Sequence, residues 1–302
     1  MLHMVAKLHY EADMSQVDIA RKLGVSTATV SRLLQKARAL GIVRIEVLDL
    51  ASAEEMAAEL MDALKLKRAG VIDTPATGVL GALAAPLGQM LKEEGIGNGS
   101  VLGIGWGRAV REVLLSGLPR LPGAIVIPLN GGMQHAAAHF QINEFVRLAA
   151  EQLGGTPHFL HAPFLSSPEL RDAFLSDSTV RETTDLWDRM DCCLVGIGLP
   201  HQFNPPEASA ATADEQALRA AGDVIRHYFD EHGKILSWAS EERLIAATPA
   251  QLAAARLSVG IAADIAKAGA IIGAARSGMV NALVTDTATA QAILDMLKPD
   301  AA

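Results

Sequence analysis
Residues 15–47 read SQVDIARKLGVSTATVSRLLQKARALGIVRIEV, and they constrain the fold more than any other stretch. Ser15 is placed to cap a helix, with Asp18 three residues on as a short capping-box acid. Ile19, Ala20 and Leu23 share one helical face, and Gly24 supplies a left-handed stop. Ser26 is the next N-cap, opening a second helix from Thr27 to about Leu40. Val30, Leu33, Leu34 and Ala37 recur at helical spacing and face inward. The opposite face carries Thr27, Ala28, Ser31, Arg32, Gln35 and Lys36. Gly41 ends the helix, and residues 42–47 alternate as a wing strand. This is the pattern of a helix-turn-helix whose second helix enters the major groove. Small polar groups near its start (Ser26, Thr27, Ala28, Thr29, Ser31) reach base edges, and Arg32, Gln35 and Lys36 reach bases or phosphates. An ordinary helical hairpin with a solvated cationic face is the alternative.

Charge separates the two readings. The 302-residue chain has a net charge of −8, which by itself argues against nucleic acid. Residues 1–48, however, hold Lys7, Arg21, Lys22, Arg32, Lys36, Arg38 and Arg44 against Glu11, Asp13, Asp18 and Glu46. That is a net +3, leaving −11 for the remainder. A basic head on an acidic body confines phosphate contacts to the head. At +3 a single head binds weakly, so several heads per operator are expected.

The body, after a linker helix at 51–68, shows short apolar strands alternating with helical patterns. Candidate strands are 69–73, 100–105, 124–129, 158–162, 191–197, 257–261 and 280–285. Helical patterns lie at 79–94, 108–117, 141–153, 177–189, 213–221, 249–256, 263–277 and 287–297. Residues 224–238 look like a hairpin turning at Glu231-His232-Gly233. The alternation predicts a doubly wound, mostly parallel α/β domain over 69–302. Ligands of such sheets bind beyond the C-terminal strand ends. Three of those ends are glycine-rich: Gly103-Ile104-Gly105-Trp106-Gly107-Arg108, Asn130-Gly131-Gly132 and Gly196-Ile197-Gly198. Glycines let backbone N–H groups approach an oxygen-rich ligand, and Arg108 adds charge. The first loop has neither dinucleotide nor P-loop spacing. Trp106, between two glycines, is a candidate stacking face for a sugar ring.

The two cysteines, Cys192 and Cys193, are adjacent in an apolar run and read as reduced core thiols. His135, His139, His158 and His161 do not sit with carboxylates at metal-ligand spacing. No metal or cofactor is expected. The first residues lack a basic stretch followed by a long apolar run, and no segment has transmembrane length, so a cytoplasmic protein is expected.

The head motif, GIGWGR, PLNGG, VGIG, GDVIRHYFDEHG and VNALVTDTATAQAIL together resemble, in order and over nearly the whole chain, the SorC family of sugar-binding transcriptional regulators. The resemblance implies a body like that of phosphosugar isomerases, a sugar, polyol or sugar-phosphate effector, and a homotetramer on operator DNA. It implies that Gly105, Trp106, Gly107 and Arg108 form the ligand loop and that Asn130, Gly131 and Gly132 line the next edge. It further implies that Asp223 accepts ligand hydroxyls, facing Lys267. Two departures stand out. Ala109 follows the loop arginine where the family often has threonine, which favours an unphosphorylated ligand. Ala263-Asp264 precedes Lys267 where a glycine pair is frequent. The alternative function is an isomerase-like enzyme with a DNA-binding head, for which Asp223 and Lys267 are the acid–base candidates.

Overall fold
The computed structural model describes residues 1–43, 52–133, 141–199 and 212–298. The chain divides into two compact units, residues 1–50 and 51–302.

The head contains three helices: α1 (Leu2–Tyr10), α2 (Gln16–Leu23) and α3 (Thr27–Ala39). The caps follow the sequence. Ser15 accepts from the Asp18 N–H at 3.1 Å, and Ser26 from the Thr29 N–H at 3.1 Å. Gly24 closes α2 with φ +65°, a left-handed conformation glycine adopts freely. Val5, Ile19, Ala20, Val30 and Leu34 form the head's own core. Thus α1, which has no side-chain cap to announce it, supplies the third wall through Val5. Most of the expected wing strand lies outside the described residues, as do His135 and His139.

In the body, α4 (Ala53–Leu64) begins with a capping box of Ser52 and Glu55. Its Met56, Leu60 and Leu64 are buried in the body's main core, so the segment read as a linker is an integral wall of that unit. The seven-stranded sheet has the order β1-β10-β9-β5-β2-β3-β4 and is parallel throughout. Its strands are β1 (Arg68–Ile72), β2 (Val101–Ile104), β3 (Ile125–Pro128), β4 (Thr156–Pro157), β5 (Cys192–Gly196), β9 (Leu257–Ile261) and β10 (Ala282–Asp286). Every residue of β2, β9 and β10 is buried, as expected of parallel strands covered on both faces. A separate antiparallel sheet joins β6 (Gly222–Val224), β7 (His227–Phe229) and β8 (Ile235–Leu236).

Several predicted elements are shorter than their patterns. No strand occupies 158–162; the sheet edge is instead the two-residue β4 just before it, and beyond it only the His158 N–H still donates to Val126 O, at 2.8 Å. The helix expected over 213–221 stops at Gln216, and the Ala221 N–H bonds Phe229 O instead. The helix expected from 263 begins at Ala268, because Asp264 has φ +142°. A helix over Pro168–Ser176 has no counterpart in the sequence reading.

The strand order places the site. From β2 the chain winds outward through β3 to β4; from β5 it winds the other way through β9 to β10. The reversal lies between β2 and β5, and the crevice beyond their C-terminal ends is the topological switch point.

Candidate functional site
The GIGWGR loop leaves β2 at that crevice. The Gly105 N–H bonds Leu194 O of β5 at 2.8 Å, so this glycine joins the two strand ends. A Cβ on Gly105 would lie 3.3 Å from that same carbonyl and 3.2 Å from Ile225. Gly107 caps the helix Arg108–Ser116 with φ +124° and no side-chain cap. Among the described residues no side chain caps the first N–H groups of that helix, which have the helix dipole behind them. Arg108 is exposed at this end.

From β5 the chain reaches Gly198, which exchanges backbone bonds with Asp223 of β6. A Cβ on Gly198 would fall inside the Asp223 carboxylate, so glycine here is what allows Asp223 its position. Asp223 also accepts the Arg226 N–H at 3.0 Å. Lys267 follows β9 in a turn that begins with the strained Asp264, whose carboxylate accepts the Ala266 N–H at 2.9 Å. The Lys267 ammonium donates to Ile197 O at 2.7 Å, within the VGIG loop. It is half-buried, and desolvation lowers its pKa, assisted by the nearby Arg108 charge and opposed by Asp223 and Asp264. Arg108 and Asp223 thus both act electrostatically on Lys267. Lys267 is no surface lysine.

The PLNGG edge differs from expectation. The amides of Gly131 and Gly132 are already used, donating to Ile245 O and Ala162 O at 2.9 Å each. A Cβ on Gly131 would collide with the Pro163 backbone. This pair seats the segment carrying Phe164 and offers no N–H groups to a ligand. Asn130 is completely buried, and its Oδ1 has no hydrogen-bond partner among the described residues. A Cβ added to Gly196 would lie 3.5 Å from the Trp106 carbonyl oxygen.

Trp106 is buried rather than offered on a loop. Its ring packs on Phe164 with centroids 4.5 Å apart. The Arg226 guanidinium lies over both rings, at 5.9 Å from Trp106 and 5.6 Å from Phe164. Arg226 in turn pairs with Glu215, whose carboxylate also accepts the Tyr228 hydroxyl at 2.8 Å. Burial pushes the Tyr228 phenol well above its ordinary range. Sequence reasoning missed Phe164, Glu215, Arg226 and Tyr228. The one signal was an arginine inside the apolar run VIRHYF, unusual for a buried hairpin.

The remaining expectations concern thiols, metals and the recognition helix. Cys192 and Cys193 are free and fully buried, and burial pushes the Cys193 thiol up to about 12. Among the described residues no cluster of metal-ligating side chains occurs and no helix is long and apolar enough to cross a membrane. On α3, Thr27, Ala28, Arg32, Gln35 and Lys36 are exposed, and Ser31 and Thr29 are half-buried. The Thr29 hydroxyl is engaged with Ser26 at 2.9 Å. No described carboxylate pairs with Arg32 or Lys36.

Comparison with known proteins identifies the family and the fold. The family described as "Putative sugar-binding domain" matches residues 49–295, and a winged helix-turn-helix DNA-binding family matches residues 8–44. The sorbitol operon regulator of Klebsiella pneumoniae is 31% identical over 96% of both chains. The deoxyribonucleoside regulator of Bacillus subtilis is 27% identical over 97% of this chain and 96% of its own. The erythritol catabolism regulatory protein EryD of Brucella abortus is 28% identical over 96% and 94%. The crystal structure of the full-length Klebsiella pneumoniae sorbitol operon regulator SorC superposes with a TM-score of 0.72, at 30% identity and 98% coverage of both chains. With a DNA-reading head joined to an α/β body of this kind, the chain belongs to the SorC family of sugar-binding transcriptional regulators.

Proposed function
We propose that this regulator controls a carbohydrate or polyol utilisation operon, and that a sugar, polyol or sugar phosphate bound at the β2–β5 crevice sets its operator affinity. The convergence of Arg108, Asp223 and Lys267 at the switch point carries this reading. The uncapped helix start at Gly107 adds N–H donors for ligand oxygens. Asp223 accepts hydroxyl protons, and Lys267 donates to a hydroxyl or carbonyl oxygen. The relatives named for sorbitol, erythritol and deoxyribonucleosides support the class of effector. Binding without turnover suffices for control, because a ligand shifts an equilibrium only through its differential affinity for two states.

The head reads operator DNA through Ser26, Thr27, Ala28, Thr29, Ser31, Arg32, Gln35 and Lys36, and the protein acts in the cytoplasm as a homo-oligomer of at least two copies. The test is a DNA-release titration. Removing one partner of a buried polar contact costs about 1–3 kcal/mol, or roughly ten- to a hundredfold in effector affinity. Asp223→Ala and Lys267→Ala should therefore bind DNA as the wild type does and need ten- to a hundredfold more effector for release. Release of both variants at the wild-type concentration would move the pocket elsewhere. Interconversion of sugar-phosphate isomers by the purified protein would favour an enzyme.

A further inference from the structure
Arg226 has no role in the reading above, yet its backbone has a positive φ. It is the second residue of the two-residue β6–β7 turn, with φ +65°, after Ile225 with φ +42°. Such a turn normally uses asparagine, aspartate or glycine, and a β-branched residue there is strained. The strain turns a guanidinium inward, where its side chain is only 7% exposed. Nη1 donates to both oxygens of Glu215, at 2.8 and 2.7 Å. That carboxylate is fully buried and held from its other side by the Tyr228 hydroxyl. The Nε and Nη2 hydrogens meet no acceptor among the described residues.

The Phe164 ring under Arg226 belongs to a segment tied to the PLNGG edge: Gly131 donates to Ile245 O, and Ile245 donates to Phe164 O. The residue before Gly131 is Asn130, with its buried and unpartnered Oδ1. The spare Arg226 donors are suited to an uncharged acceptor, and a ligand hydroxyl supplies one. Glu215 already neutralises Arg226, so this end of the crevice favours uncharged hydroxyls, and a phosphate is better served by Arg108 and Lys267.

We propose that Arg226, positioned by Glu215 and Tyr228, is a specificity-determining residue that reads a hydroxyl of the effector's uncharged end. The proposal rests on the effector site of the preceding subsection. The experiment measures affinities of the full chain for sorbitol, erythritol, ribose and galactose, their monophosphates, and deoxy analogues that each lack one hydroxyl. The proteins are wild type, Arg226→Lys, which keeps the charge but loses the planar fork, and Asp223→Asn. For the parent compound that binds wild type, removing the hydroxyl read by Arg226 should weaken binding tenfold or more. In Arg226→Lys the parent-to-deoxy ratio for that position should fall towards one, with other positions unchanged. If Arg226→Lys does not fold, Glu215→Gln, which releases the guanidinium from its anchor, should lower the same ratio. A probe that is weakened by Asp223→Asn but keeps every parent-to-deoxy ratio in the folded Arg226 or Glu215 variant overturns the inference and leaves the site intact. Failure of every sugar, polyol and phosphate to bind wild type overturns both.

Discussion

Arg32 shows how much a single residue can decide. It lies on the exposed face of α3, one turn from Gln35, with no described carboxylate to neutralise it. An arginine placed this way forks onto a guanine edge or a phosphate. Arg32→Ala should leave the melting temperature of the protein unchanged and weaken operator binding by about 1–3 kcal/mol. Measured at fixed salt on a target obtained by selection, a base contact relaxes specificity at one position, whereas a phosphate contact weakens all sequences equally. Full affinity after alanine replacement of Ser31, Arg32 and Gln35 together would show that α3 is not the recognition helix. Asp223 and Lys267 were reached at this scale only through the family resemblance of their motifs, since no spacing in the sequence pairs them. Arg226 and Glu215 were not. Their pairing crosses eleven residues and depends on a turn whose residues, Ile225 and Arg226, carry no turn signal.

Elements with local punctuation were read correctly from sequence, and those held by tertiary contacts were not. Helices α2 and α3 carry their own caps and stops, and both begin where Ser15 and Ser26 predict. The strands β2, β5, β9 and β10 are short apolar runs bounded by glycine or polar residues. In contrast, α1 starts without a side-chain cap, and β4 keeps only two residues at the sheet edge. The stop of α2 gives a test of how local the punctuation is. Nothing lies within 4 Å of a Cβ added to Gly24, so Gly24→Ala costs only the left-handed backbone, about 1–2 kcal/mol. All three tryptophans, Trp106, Trp187 and Trp238, belong to the body. Denaturation of Gly24→Ala should therefore shift the helical signal by circular dichroism while the tryptophan fluorescence transition stays in place. Coincident shifts in both signals would show that head and body unfold as one unit.

At the scale of the whole molecule, the charge distribution supports the proposed assembly of more than one copy. A head of +3 has few phosphate contacts to make, and a body of −11 is repelled by DNA. Counterion release makes affinity additive in phosphates neutralised, so the effective way to strengthen binding is to join heads through the bodies. A two-fold assembly would present two recognition helices to half-sites one helical turn apart. With about four phosphates per head, a dimer on its operator should show log K falling with log salt at a slope of about −7, and a single head about half that. Sedimentation at micromolar concentration should give a dimer or tetramer. A monomer both with and without DNA, or a salt slope no steeper than that of the isolated residues 1–50, would show that one head acts alone.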